Sequence, residues 1–423
     1  MHLLSGNKRK GKQINTKEHK KGFISILLIA VIFVSMGQSV YAQVMPLIGR
    51  ELGFSVRLIT TFVSISAFVF LLTTPFWGRM SDRKGRKSVL MIGFAGYIIS
   101  SLLFVLVAYL GLVGVLLTSS LILSFLLARV LNSAVGAASR PAAGAYIADI
   151  TTEEERSAGM GQYGAANNLG TIFAPIMVSF VAFLIVNTEI FPSYLTPYGR
   201  LIPVVLMSFL SFLALLMVYL YLPETLEAGI EETKRERMSY DYKLLVFVGI
   251  GVLIFICFSS TMTVAAFYIQ DKFNFSTLVT QERQGIAFGL LGIFSILVQL
   301  TYVQKTKIVP INFISISIPF FILGIIFIVI STTFTFFVLG MSFLGIAMGL
   351  ASPGYTATAS LNAGSSNQGE AVGVAMVAPG LGFAIGPLMS GFLYEISPNL
   401  PYLICIPIFV VVFLLVLYVK RYI

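Results

Sequence analysis

Long apolar runs, each of bilayer-spanning length, constrain this chain more than any other feature. A helix crosses the hydrocarbon core in about 20 residues. Runs of that order or longer occupy residues 23–48, 58–77, 88–110, 115–148, 157–186 and 200–222, then 244–270, 285–303, 309–330, 333–361, 369–395 and 398–419. In lipid every backbone N–H and C=O must be satisfied internally, so such runs become helices; barrel strands are about half as long. The sequence predicts an all-α membrane protein with twelve transmembrane helices. Composition agrees: 57% of residues are hydrophobic and 11% charged, where a soluble domain carries roughly 25% charged residues. A soluble enzyme is excluded, and the short connections leave no room for a sizeable soluble domain.

Charge sets the expected organisation. Of the 28 Lys and Arg residues, five (Arg50, Arg57, Arg200, Lys272 and Arg283) fall on one side of the twelve spans. Two, Arg129 and Arg140, lie inside span 4, and the remaining 21 fall on the other side. The positive-inside rule then places both termini in the cytoplasm and the chain in the cytoplasmic (inner or plasma) membrane as a multi-pass protein. The net charge of +10 is read as this bias and not as a nucleic-acid footprint. Residues 1–22 form a basic cytoplasmic tail, 23–222 a first six-helix half, 223–243 a polar cytoplasmic connection, and 244–423 a second half. A signal peptide could be imitated by the Lys-rich tail, the first apolar run and Val40-Tyr41-Ala42, but cleavage would leave eleven spans and spoil the bias. Cys257 and Cys405 sit in apolar runs, which argues against a disulfide framework. His2 and His19 lie in the tail, so no intramembrane histidine is available to hold a metal.

The two halves repeat. A shift of 212 residues brings Gly161, Ala166, Leu169, Gly170 and Pro175 onto Gly373, Ala378, Leu381, Gly382 and Pro387, and Pro141 onto Pro353. Two pseudo-symmetric six-helix bundles around a central cavity are the architecture that such a duplication implies.

After span 2 comes Gly78-Arg79-Met80-Ser81-Asp82-Arg83-Lys84-Gly85-Arg86-Lys87, a tight turn with several cations and one carboxylate. It lacks the spacing of a phosphate-binding loop, so no nucleotide is expected as energy source. With this loop the sequence resembles the major facilitator superfamily, in particular its twelve-span drug/proton antiporter branch. Gly37 through Gln43-Val44-Met45-Pro46 is similar to that branch's span 1 pattern, with Gln43 in place of a proline. Arg129 with Gly136 resembles its intramembrane arginine motif. Ala145-Tyr146-Ile147-Ala148-Asp149-Ile150-Thr151 resembles the end of span 4 in tetracycline efflux proteins. Gly170 to Pro175 is similar to the span 5 antiporter motif, with Ala174 in place of its glycine, and Gly382, Gly386 and Pro387 keep that pattern better in span 11. The resemblance implies no cofactor, a proton gradient as driving force, and a gate built from Gly78, Asp82, Arg83, Gly85, Arg86, Lys87 and Asp149 together with Pro175, Gly382, Gly386 and Pro387. In that gate Asp82 would cap span 11 and Arg86 would pair with Asp149 when the cytoplasmic side is shut, and opening would break those contacts.

Arg129 and Arg140 are eleven residues apart, about 20° from three full turns of a straight helix and roughly 16 Å of rise, so they share a face. Arg140 lies nine residues before Asp149, roughly 13 Å from the end of the span. A charge at that depth is costly and marks function. Pro141 frees the carbonyl of Ala137, and a bend is expected there. No carboxylate lies near the middle of any span, so Asp149 is the remaining candidate for proton exchange. An unpaired guanidinium attracts anions and binds carboxylates through paired hydrogen bonds. The expected substrate is a small anionic or carboxylate-bearing molecule such as a siderophore or acidic metabolite, with Arg140 as central contact and Arg129, Asn132, Asn167, Asn168, Gln38 and Gln43 as further binding candidates. Helix carbonyls and the span 5 asparagines could instead simply satisfy both arginines. A broad-specificity drug efflux pump and an uptake symporter for an organic anion remain the alternatives. An enzyme would need clustered His, Asp or Glu on one face, and a channel would more naturally be a ring of subunits. The lipid bilayer and a small-molecule substrate are the expected partners, and the chain is expected to work as a monomer.

Overall fold

The structure, a computed structural model, describes residues 16–187, 196–225, 242–362 and 368–421. Residues 1–15 of the expected basic tail and 226–241 of the expected 223–243 connection lie outside the described residues. Among the described residues every regular element is helical. Twelve helices among these residues are long and apolar enough to cross a membrane. Spans 1 to 6 are Gly22–Glu51, Val56–Lys84, Arg86–Leu112, Thr118–Ile150, Ala158–Asn187 and Tyr198–Tyr221. Spans 7 to 12 are Leu245–Phe273, Thr277–Val303, Pro310–Ile330, Phe334–Ala359, Met376–Ile396 and Leu400–Lys420.

Large apolar side chains stand exposed along the outer helices, among them Ile92, Ile99 and Leu106 on span 3 and Phe209, Phe212 and Leu216 on span 6. In water such a surface would aggregate; in lipid it is solvated. Burial is therefore decided by helix contacts, and these follow one scheme twice. Span 1 packs on spans 5 and 6, span 3 on spans 4 and 6, and span 2 on span 4. Adding six to each number gives the second set: span 7 on 11 and 12, span 9 on 10 and 12, and span 8 on 10. The main contacts between the sets, span 2 with 11 and span 5 with 8, exchange under the same rule.

Local chemistry repeats as well. Gly53-Phe54-Ser55 turns span 1 into span 2, and Asn274-Phe275-Ser276 turns span 7 into span 8. Gly53 (φ +83°) and Asn274 (φ +52°) both take the left-handed conformation, which these two residue types adopt more readily than others. Each serine then caps the following helix, Ser55 accepting from Leu58 N at 3.2 Å and Ser276 from Val279 N at 3.4 Å. The aligned glycines Gly170 and Gly382 do equivalent work. Gly170 lets span 5 press on the backbone of Ile32 and Met36 in span 1, and Gly382 lets span 11 press on Phe255 and Ile256 in span 7.

Two helices depart from the expected runs. Span 8 begins at Thr277 rather than 285. Its first turns carry Gln281, Glu282, Arg283 and Gln284, which lower the hydropathy, yet Gln281 and Gln284 are buried where the two sets of helices meet. Span 4 is two helices, Thr118–Gly136 and Ser139–Ile150, so the straight-helix relation between Arg129 and Arg140 does not hold strictly. The break falls where Pro141 removes a donor, as expected, whereas the aligned Pro353 lies inside an unbroken helix, Phe334–Asn362.

Candidate functional site

The break in span 4 builds the site. Ala138 N turns back to Val135 O at 3.0 Å, a tighter bond than the helical one to Ala134. Ala134 O is thereby freed, and Trp77 Nε1, from span 2, donates to it at 2.6 Å. Ser139 Oγ donates to Gly136 O at 2.9 Å, and Ser139 packs closely on Gly93 of span 3, where a side chain would collide with its backbone. The carbonyls of Ala134, Val135 and Gly136 thus each find a partner at the bend, as a low-dielectric interior favours. The new helix starts at Ser139, and its second residue is Arg140.

Arg140 is exposed within the interior of the helix bundle. Its Nη2 donates to Gln38 Oε1 of span 1 at 3.3 Å, and its guanidinium lies 5.2 Å from the Phe70 ring of span 2. Tyr163 OH of span 5 donates to its backbone carbonyl at 3.1 Å. Asn167 lines the same pocket and accepts from Ser35 Oγ at 2.6 Å, which leaves its amide N–H groups as donors. Val31, Val34, Phe94 and Ala143 supply apolar walls. Among the described residues no carboxylate lies within ion-pair distance of Arg140.

The structure brings Arg140, Gln38 and Asn167 together and separates the other binding candidates from them. Arg129 is half-buried, its guanidinium 5.1 Å from the Tyr41 ring and its Nε buried without a hydrogen-bond partner among the described residues. Asn132 is buried against span 3 and donates to Ser100 Oγ at 2.9 Å, so it holds helices together instead of lining the pocket. Gln43 is buried and bonds within its own helix to Ser39. Asn168 is exposed one position beyond Asn167, roughly 100° around the helix. Phe70, Tyr163 and Trp77 were not legible as site residues, because nothing in an aromatic side chain's spacing tells which neighbour it meets.

Contacts between the two helix sets lie at the end opposite the basic loop. Arg50 Nη2 pairs with Asp271 Oδ1 at 2.6 Å, and Tyr394 OH donates to Asp271 Oδ2 at 2.7 Å. Arg57 lies 3.8 Å from the centre of the Phe392 ring, and Ser179 Oγ donates to Glu282 O at 2.9 Å. Further in, Gly292 faces Ile172 and Gly380 faces Leu71. Beyond that depth Arg140, Asn168 and Met376 are exposed. Among the described residues these side-chain contacts between the halves gather toward the Arg50 end.

At the Arg86 end, Arg86 pairs with Asp82 and, at 2.9 Å through Nε, with Asp149. The resemblance ties this pair to a shut basic end, and here the pair is formed. Its members sit on spans 2, 3 and 4, all of the first set, so the pair does not itself join the two halves. The segment preceding span 11 that Asp82 would cap lies outside the described residues at 363–367. Gly85 (φ +104°) makes the corner between spans 2 and 3 in a conformation that only glycine adopts readily. Its lack of a side chain admits Glu224, whose carboxylate accepts from the backbone N–H groups of Arg86 at 2.7 Å, Lys87 at 3.3 Å and Ser88 at 3.4 Å. Thr225 Oγ1 donates to Asp149 Oδ2 at 3.1 Å and Tyr146 OH to Pro223 O at 3.0 Å. The chain leaving span 6 is thereby fastened to the loop.

The other gate candidates pack helices. Gly78 lies 3.9 Å from Pro141 measured from a modest side chain's first carbon, Arg83 is exposed, and Lys87 Nζ donates to Tyr219 O at 2.8 Å. The Pro175 carbonyl abuts Gly285, Ser259 Oγ donates to Gly382 O at 2.7 Å, Gly386 packs on span 7, and Ser390 Oγ donates to Pro387 O at 2.9 Å.

The sequence model of the Major Facilitator Superfamily matches residues 27–378 and 284–422. The chain is 27% identical over 399 residues to multidrug resistance protein 2 of Bacillus subtilis (strain 168), covering 90% of this chain and 91% of that one. It is 24% identical over 277 residues to the class B tetracycline resistance protein of Escherichia coli, covering 63% and 62%. A solved bacterial homologue of the human lysosomal transporter Spinster, in an inward-facing and occupied conformation, superposes with a TM-score of 0.73 at 15% identity, over 95% of this chain and 97% of that one.

Proposed function

The chain belongs to the Major Facilitator Superfamily of membrane transporters, and on that premise we propose that it exports a small carboxylate-bearing organic anion by alternating access, with Arg140 as the central contact. The observation that carries the reading is the Arg140 guanidinium, exposed in mid-span and unpaired with any described carboxylate. A charge held at that depth costs several kcal/mol and by default marks a functional site, and a carboxylate can accept two parallel hydrogen bonds from it. Gln38 and Asn167 orient the anion, and Tyr163 fixes the backbone that carries Arg140. Siderophores and acidic metabolites are both within this class.

Export is supported by the multidrug and tetracycline relatives, and a proton gradient as driving force by the same likeness. The Lys/Arg bias supports cytoplasmic termini, which makes the Arg86 end cytoplasmic and the Arg50 end external. Residues 23–222 and 244–423 would then move as two halves joined through 223–243, in a single subunit. A second reading, a broad-specificity drug efflux pump, is favoured by the relative that matches along 90% of the chain.

Transport into inverted vesicles and out of right-side-out vesicles, each with an imposed proton gradient, tests the proposal. Labelled organic anions should accumulate in the inverted vesicles in a gradient-dependent way, and Arg140→Gln should abolish it. Accumulation of ethidium but of no anion, unaffected by Arg140→Gln, would favour the second reading.

A further inference from the structure

The proposed anion site holds one accessible positive charge, and that number limits its cargo. Apart from Arg129 and Arg140, the inner stretches of the helices facing the interior carry no charged residue: residues 22–49 and 58–78 in the first half and 245–270, 285–303, 334–359 and 376–394 in the second are free of Lys, Arg, Asp and Glu. Arg129 is half-buried over the Tyr41 ring and does not line the Arg140 pocket. A molecule with one carboxylate can be neutralised by Arg140. A second or third carboxylate would enter a space without a cation to meet it and would lose its hydration uncompensated.

Beside Arg140 and its partner Gln38, the pocket carries uncharged groups alone, the polar ones being Ser35, Ser139, Tyr163 and Asn167. Phe70, half-buried, lies against the guanidinium, while Val31, Val34, Phe94 and Ala143 are packed into the core behind it. The Phe70 ring rewards an apolar or aromatic body beside the acid group, and no second cation is there to reward a further carboxylate. Resting on the anion reading above, we infer that the substrate is an amphiphilic monocarboxylate, a single acid group on an apolar or aromatic body, and that polycarboxylates, including polycarboxylate siderophores, are excluded.

Equilibrium binding to the purified full chain tests this with four probes: phenylbutyrate, its uncharged amide phenylbutyramide, citrate and tetraphenylphosphonium. Phenylbutyrate should bind about 10- to 100-fold more tightly than phenylbutyramide, the range expected when charge-assisted hydrogen bonds are lost, and citrate should bind no better than the amide. Arg140→Gln should erase the preference for phenylbutyrate, and Arg140→Lys, which keeps the charge but not the paired geometry, should retain part of it. Thermal unfolding of each variant reports whether it is folded. If citrate binds most tightly and Arg140→Gln abolishes that, the monocarboxylate inference fails while the anion site stands. If a folded Arg140→Gln binds every probe as the parent does, or tetraphenylphosphonium binds best, the anion reading fails and the inference with it.

Discussion

Glycine 285 on span 8 separates a wedge from a tolerated substitution within one helix. A side chain at 285 would meet the Pro175 carbonyl, and its first carbon would stand 2.6 Å from Ser179 Cβ and 2.9 Å from Ser179 N. These atoms are largely backbone, so no rotamer change relieves the clash and spans 5 and 8 must part. One turn on, the first carbon at 289 would stand 3.3 Å from Ile176 Cγ1, the end of a side chain that can yield. Overpacking of the first kind costs about 1–3 kcal/mol. Replacing Gly by Ala also favours any helix by about 1 kcal/mol, but equally in both conformations, so it cancels. Gly285→Ala should therefore reduce the population closed at the Arg50 end relative to the open one by about 5- to 150-fold, and Gly289→Ala should leave it nearly unchanged. A cysteine at Gln38 reports this through its reaction with a membrane-impermeant thiol reagent added from outside. The native Cys257 and Cys405 are fully buried and contribute little background. If Gly285→Ala, folded and inserted, is labelled no faster than Gly289→Ala, the interface is not what closes this end.

Two further outcomes follow from contacts at opposite ends. Asp271→Asn removes the ion pair with Arg50 that joins the halves; because both side chains are about one-third exposed, the pair is worth only about 0.2–1 kcal/mol, and external labelling at Gln38→Cys should rise by about 1.4- to 5-fold. Glu224→Ala strips the carboxylate from the N-terminus of span 3 and should lower stability by about 0.5–2 kcal/mol, as loss of a helix cap does, read as a lower thermal midpoint; an unchanged midpoint would mean that the backbone donors of Arg86, Lys87 and Ser88 find water as readily.

What was legible in the sequence divides along physical lines. Span existence follows from hydropathy, which is local chemistry alone, whereas the bend at Pro141 was signalled by its missing donor but not settled by it, since Pro353 lies in an unbroken helix. Arg140 stood out because charge and depth are both countable. The orientation of Asn132 toward Ser100 was not legible, since roughly 60° of helix rotation separates a cavity face from a packing face. The start of span 8 was missed because Gln281 and Gln284 look soluble yet are buried between halves. Trp77, Glu224 and the Arg50–Asp271 pair act through partners 57, 138 and 221 positions away, and no spacing rule reaches that far. The repeat of left-handed residue, Phe and Ser at 53–55 and 274–276 was present in the letters, but at a shift of 221 rather than 212 residues, because spans 2, 3 and 4 are longer than spans 8, 9 and 10.

A nearly isosteric change at residue 38 bears most directly on the role of Arg140. Gln38 Oε1 already accepts from Arg140 Nη2, so Gln38→Glu places a fixed carboxylate beside the guanidinium without altering the size of the side chain. If the open positive charge is what holds the cargo, phenylbutyrate affinity should fall by about 10- to 100-fold while phenylbutyramide affinity stays as it was. Undiminished phenylbutyrate binding by a folded Gln38→Glu protein would contradict the account.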